Sequence, residues 1–166
     1  MKSILLAILF CFNLSALTAQ EIISSFLEKH GRDEGIEYRS IGRKIFSEMK
    51  EQGLADSLLL DIVSQLDNIS FIYSDDSSLE SDYFGSSMDI MDKMKGFNSL
   101  YTGEGDDTTV VLTKENKGII KELVMIVSDM DGFNLISIKG NIPLESFLEY
   151  PDFMNLGTMM DLIQQE

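Results

Sequence analysis

Three groups of side chains in this 166-residue chain have the types and spacing to do chemistry. The first is the pair Asp129 and Asp131, two apart and followed by Gly132, in "VMIVSDMDGFNLISI" (124–138). Aspartates so spaced beside a glycine begin many calcium loops, which also need a bidentate glutamate about 12 residues in. Here the chain continues "FNLISIKG" and supplies only Asn134 before the next strand. Asp and Gly also suit a tight turn, because they tolerate positive φ, so the stretch reads as a β-hairpin. The second group is the carboxylates Asp75, Asp76, Glu80 and Asp82, with Glu104, Asp106 and Asp107. Two carboxylates serve as acid and base only where their surroundings drive their pKa values apart. These lie in serine- or glycine-rich stretches with no sign of burial, so they read as solvated loops, with weak divalent-ion binding as the other reading. The third is His30, the single histidine. It falls near the C-terminal end of a helical stretch, where a cation opposes the dipole favourably, and reads as an exposed capping residue. Triads and zinc sites need a histidine with suitable partners or several histidines. The GxSxG, Walker A, GxGxxG and HExxH patterns do not occur. No catalytic, metal-binding or cofactor-binding residue is therefore expected, and no cofactor.

The first residues, "MKSILLAILFCFNLSALTAQ", have the layout of a secretory signal peptide: Lys2, an apolar run from Ile4 to Phe12, then a polar-to-small stretch. A retained span would need about 20 apolar residues, and Asn13 and Ser15 cut this run short. Cleavage is expected after Ala19, leaving Gln20 first, a signal peptide over 1–19 and one domain over 20–166. Phe10 stands where a lipoprotein signal needs a small residue, so Cys11 reads as part of the apolar run. The processed chain then has no cysteine, which excludes disulfides, thiol nucleophiles and thiolate metal sites. It also has 12 basic against 28 acidic residues, a net charge near −16. Such a chain repels phosphate backbones and anionic lipid surfaces. No nucleic-acid partner is expected, and no transmembrane span after the signal is removed. The basic stretch "YRSIGRK" (38–44) reads as a strand-to-helix junction with a solvated face.

The elements that must position these residues follow from apolar spacing. Ile22, Ile23, Phe26 and Leu27 share one helical face. "IEYRSI" alternates as a strand and "GRKIFSEMKEQG" is a helix closed at Gly53. Residues 55–67 carry a helical stripe of Leu58, Leu59, Ile62, Val63 and Leu66, and "ISFIY" (69–73) is β-rich. A polar loop, 74–82, leads into a helix with Tyr83, Ile90, Met94 and Phe97 on one side and Phe84, Met88 and Met91 adjacent. "SLYTGEGDD" connects it to three strands, 107–114, 118–127 and 132–139, joined by short turns and expected to form an antiparallel meander. The middle one is apolar on both faces at its end, with Leu123, Met125 and Val127 opposite Val124 and Ile126. Helices over 143–149, with Pro143 in the first turn, and 152–164 complete the chain. The sum is an α+β domain: an antiparallel sheet with helices mainly on one face.

Three stretches, "IEYRSIGRKIFSEM", "LADSLLLDIVSQLDNISFIYSDD" and "GIIKELVMIVSDMDGFNLISIKGNIPLESF", resemble the small exported bacterial proteins grouped as domain-of-unknown-function family 4252. The resemblance spans most of 21–160 and implies export and one domain, with no site residues to carry over.

The functional expectation is an exported, non-enzymatic binding module for a protein partner or a small apolar ligand. Methionines at 88, 91 and 94, and at 154, 159 and 160, sit at core spacing but could also line an adaptable apolar surface. The alternatives are a weak metal-dependent hydrolase built from the acidic loops and a periplasmic component of a signalling or stress system. A face of the middle strand left open by the helices would be the working surface.

Overall fold

Two tight turns organise the C-terminal half. In the computed structural model, which describes residues 21–52, 64–103 and 108–143, strands β4 (Thr108–Asn116) and β5 (Ile119–Asp129) are joined by Lys117 and Gly118. Both have positive φ, 53° and 77°, the pair of values that a two-residue type I′ hairpin turn requires. Strand β6 (Gly132–Pro143) follows after Met130 and Asp131. The Asp131 N–H donates to Asp129 Oδ1 at 2.9 Å, so the first aspartate shapes the turn in the way Asx side chains do. Gly132 has φ 130°, and a side chain there would collide with the carbonyl oxygen of Ser74. "SDMDG" is the turn of a hairpin.

The meander is extended on both sides. Strand β2 (Leu66–Ser74) lies antiparallel to β6, β1 (Glu37–Gly42) to β2, and β3 (Asn98–Gly103) to β4. The result is a six-stranded antiparallel sheet in the order β1-β2-β6-β5-β4-β3. Three helices are described: α1 (Ile22–His30), α2 (Arg43–Gln52) and α3 (Glu80–Met91). Helices α1 and α3 pack together on one face of the central strands, and α2 lies against β1 and β2. The architecture is α+β, with an antiparallel sheet, a C-terminal meander and helices mainly on one face.

Strand periodicity assigns the helix-covered core. Ile72, Val124, Ile126, Phe133 and Leu135 meet Ile22, Ile23, Phe26, Tyr83 and Met91 there, all buried. The Phe26 and Phe133 rings stack at 5.3 Å, and Tyr83 stands edge-on to Phe26 at 5.8 Å. Each such side chain contributes about 1.5–3 kcal/mol by leaving water. Leu123, Met125, Val127, Ile136 and Ile138, which point the other way, are buried within the chain as well. Neither face of β5 is the open apolar surface that the sequence raised as a working surface.

Several element boundaries differ from the sequence reading. Leu66 and Asp67 belong to β2, not to a helical stripe ending at 67: the backbone of Leu66 pairs with Gly140, which overrides the local spacing. Residues 53–63 lie outside the described residues. Helix α3 ends at Met91, and Met94 and Phe97 reach the same core from the following turn rather than from the helix. Pro143 is the last residue of β6, four beyond the expected strand end, and pairs with Ile119. It sits where a strand can lose an N–H donor cheaply. The helices expected after it lie outside the described residues, as do Ala19, Gln20 and the segment 1–19. The largest omission is β3, which the sequence reading left as a connection.

Candidate functional site

His30 is not an exposed cap. As the last residue of α1 it turns inward, with a side chain 15% exposed. Its ring lies 4.8 Å from that of Phe26 and 5.1 Å, edge-on, from that of Tyr83. Nδ1 is 2.9 Å from Asp33 Oδ2 and Nε2 is 2.9 Å from Ser86 Oγ. Nδ1 thus faces the carboxylate and Nε2 the Ser86 hydroxyl, so both ring nitrogens have partners. Lys29 Nζ donates to the same Ser86 oxygen at 2.8 Å. Asp33 Oδ2 also takes a long bond, 3.5 Å, from the Tyr83 hydroxyl. Burial raises the Tyr83 phenol above its usual 10.0, and the charges of Asp33 and Asp76 and the hydrogen bond to Asp33 raise it further.

The order Asp33–His30–Ser86 has the connectivity of a hydrolytic triad. The surroundings do not suit that chemistry. Ser86 is buried in the interior of α3, and its N–H is committed to the helix ladder. An acyl-transfer site needs donors aimed at the developing oxyanion and an open approach to the nucleophile. Here the oxygen is already engaged by Lys29 Nζ and His30 Nε2. The cluster is an inter-helix tie: it fastens the end of α1 and its following loop to α3. Sequence reasoning missed it because Ser86 is 56 residues from His30.

The carboxylate groups are local too. Asp76 Oδ1 accepts from the backbone N–H of Ser78 at 2.9 Å, closing the turn before α3. Glu80 stands in the first turn of α3, where the helix dipole favours a negative charge. Its Oε2 is buried without a hydrogen-bond partner. Among the described residues, no three His, Cys, Asp or Glu side chains gather as a metal site would require. Glu104, Asp106 and Asp107 lie outside them. The cations of "YRSIGRK" are each paired, Arg39 with Glu37 at 3.6 Å, Lys44 with Glu48 at 3.7 Å and Arg43 with Asp67, as a solvated junction would have them. Met91 is core, with Met88 and Met94 packed against it. No described helix is long and apolar enough to cross a membrane.

What remains is the rim of the sheet. Among the described residues, strand β3 is an edge, paired with β4 alone. Its six residues, "NSLYTG", are uncharged and exposed or nearly so. Leu100 and Tyr101 are 38% and 52% exposed, and Leu100 is the extra residue of a bulge between Ser99 and Tyr101. A free edge offers unpaired backbone donors and acceptors to another strand. Natural edges are guarded by charge, by shortness or by a bulge; β3 carries no charge and has a bulge.

The family model described as Domain of unknown function (DUF4252) matches residues 30–147. The chain belongs to that family. The DUF4252 match takes in every described strand of the sheet, α2 and α3, but only the last residue of α1. Comparison with curated proteins and with solved structures returned no match.

Proposed function

We propose that this protein is exported and acts as a non-enzymatic binding module that takes an extended protein segment onto the β3 edge of its sheet. The single observation behind this reading is an uncharged, exposed edge strand, "NSLYTG", in a chain with 28 acidic and 13 basic residues. Strand addition draws its affinity from main-chain hydrogen bonds and its specificity from alternate side chains, and Leu100 and Tyr101 are the side chains offered. Export rests on the signal-like first nineteen residues. The family resemblance agrees with it.

The test uses hydrogen exchange. Backbone amides of Asn98–Gly103 that face away from β4 should exchange quickly in the free protein. They should slow at least tenfold on addition of a synthetic β-prone peptide, for which "GFNSLYTG" serves as probe. A Tyr101→Lys protein should bind the same peptide at least tenfold more weakly while keeping its melting temperature. Unchanged exchange at β3, with peptide protection appearing elsewhere or nowhere, would overturn the assignment of the edge. Intact mass of protein recovered from the cell envelope tests export: a chain beginning at Gln20 is expected, and an unprocessed chain would remove that part of the reading.

A further inference from the structure

The turn between β5 and β6 carries a methionine where turns ordinarily carry small or polar residues. Met130 is 81% exposed, the most open large apolar side chain among the described residues. It contributes almost nothing to the core. Met91 and Met125, by contrast, are 5% and 3% exposed, and Met88 and Met94 are half-buried against the helix-covered core. The backbone is held on both sides of Met130. The Asp131 N–H bonds to Asp129 Oδ1 at 2.9 Å, and Gly132 sits tight against the Ser74–Asp75 backbone. This end of the sheet is acidic. Asp129 and Asp131 flank the methionine in the chain, and Asp75 belongs to the segment packed on Gly132. The Tyr73 phenol nearby is raised first by burial and then by Asp75, Glu37, Asp131 and Asp129, so the local field is negative.

We propose that Met130 is a site of reversible oxidation, taking one oxygen from an uncharged peroxide while the fold stays intact. The thioether sulfur gives a lone pair to one peroxide oxygen as the O–O bond breaks. Sulfur is oxidised by two electrons to the sulfoxide, and the peroxide is reduced, its other oxygen leaving as water or an alcohol. In a core the same step would set a polar S–O group among apolar side chains and disrupt packing. At the turn tip the new oxygen is solvated and displaces nothing. Exposure governs the rate as well, because the oxidant must reach the sulfur. The field adds a choice of oxidant: carboxylates on both sides repel an anionic one and leave a neutral one unaffected. Neither strand addition at β3 nor export enters into this reading.

Treatment of the purified protein with hydrogen peroxide, with sulfoxide read residue by residue in digests by mass spectrometry, tests it. Met130 should oxidise at least about tenfold faster than Met91 and Met125, and ahead of Met88 and Met94. Protein oxidised at Met130 should keep its melting temperature within about 2 °C. A methionine sulfoxide reductase with a thiol reductant should remove the added oxygen. With peroxymonosulfate, an anionic oxidant, the Met130 rate should rise at least about threefold from about 10 mM to about 500 mM salt, as the carboxylates are screened. With hydrogen peroxide it should not change. Met130→Leu should melt at the same temperature, lose the fast sulfoxide and leave the rates at the other four methionines unchanged. Oxidation of Met130 no faster than that of Met91 or Met125 overturns the proposal, as does unfolding that accompanies the first oxygen at Met130. Equal salt dependence for the two oxidants removes the selectivity for uncharged peroxide.

Discussion

The two rims of one sheet are built on opposite principles. Strand β1 carries Glu37 and Arg39, and the chain leaves it directly into helix α2. Strand β3 carries no charge in six residues, exposes Leu100 and Tyr101, and keeps a bulge at its centre. Both present unpaired backbone along one side. A charge on an edge costs an incoming strand its solvation, and this is how natural sheets avoid joining. Exposure is therefore not the distinguishing quantity, since Tyr38 on β1 is as exposed, at 47%, as its counterparts on β3. What differs is charge, present and paired on β1 and missing from β3.

The largest effect separates rim from interior. Ile126→Asp would bury an unpaired carboxylate beneath α3, costing about 4 kcal/mol or more and abolishing cooperative unfolding in a denaturant titration. A charge of the same magnitude at Tyr101 should cost no more than about 0.5 kcal/mol, as exposed substitutions do. Equal losses at the two positions would mean that β3 is packed and not free.

Removing the guard from β1 sharpens the comparison next. Glu37→Ser combined with Arg39→Thr gives the sheet two permissive rims. Either rim could then take the β-prone peptide, and the protein should bind two peptides where the wild type binds one. Adding Tyr101→Lys to that protein should return the stoichiometry to one. A single bound peptide would show that the charges on β1 are not what keeps that rim clear.

Ser86→Ala examines the tie between helices. It leaves Lys29 and His30 without the oxygen they share, and a loss of about 1–2 kcal/mol is expected in the chemical denaturation midpoint. Peptide binding at β3 should not change, because α1 and the tie stand over β2 and β6, away from that rim. A coupled loss would show that the two regions communicate.

The smallest effect is alkaline. A phenol whose folded pKa is raised holds its proton in the folded state after the unfolded chain has lost it. Its stabilising contribution is complete below the ordinary value near 10 and falls as pH rises through the raised one. The melting temperature should decline above about pH 10, and Tyr83→Phe should flatten part of that decline. Tyr73, raised by burial and by the acidic end of the sheet, supplies a further part in the same direction. An identical slope in the Tyr83→Phe protein would show that the phenol is not held neutral by burial and Asp33.

Much of this was legible from apolar spacing. The meander was readable because β4, β5 and β6 alternate strongly and their turns carry Gly118 and Gly132 at positions that demand glycine's backbone freedom. Strand β3 was not. "NSLYTG" has no alternating apolar pattern, because an edge facing water on most sides buries nothing that would impose one. The feature that makes β3 interesting is thus the one that hid it. Leu66 was misassigned for a related reason. A leucine at the start of a strand also completes a helical stripe, and only the pairing with Gly140 decides between them. The His30 tie lay beyond sequence reasoning because its partners are assembled by packing and not by spacing.

The strand order also sets a timetable. The meander closes through two short turns, so β4, β5 and β6 can form from neighbouring residues alone. Strand β2, by contrast, finds its inner partner only in β6, and must wait for the most distant strand of the chain. Non-local pairing of this kind is slow, since the loop must close before any contact rewards it. In a chain threaded N-terminus first, the apolar β2 would emerge well ahead of β6, with β1 as its available strand partner. The interval before β6 arrives is when this protein most needs to be kept from others of its kind. Pulse-labelled hydrogen exchange during refolding reads that order directly, with amides of β5 protected before those of β2.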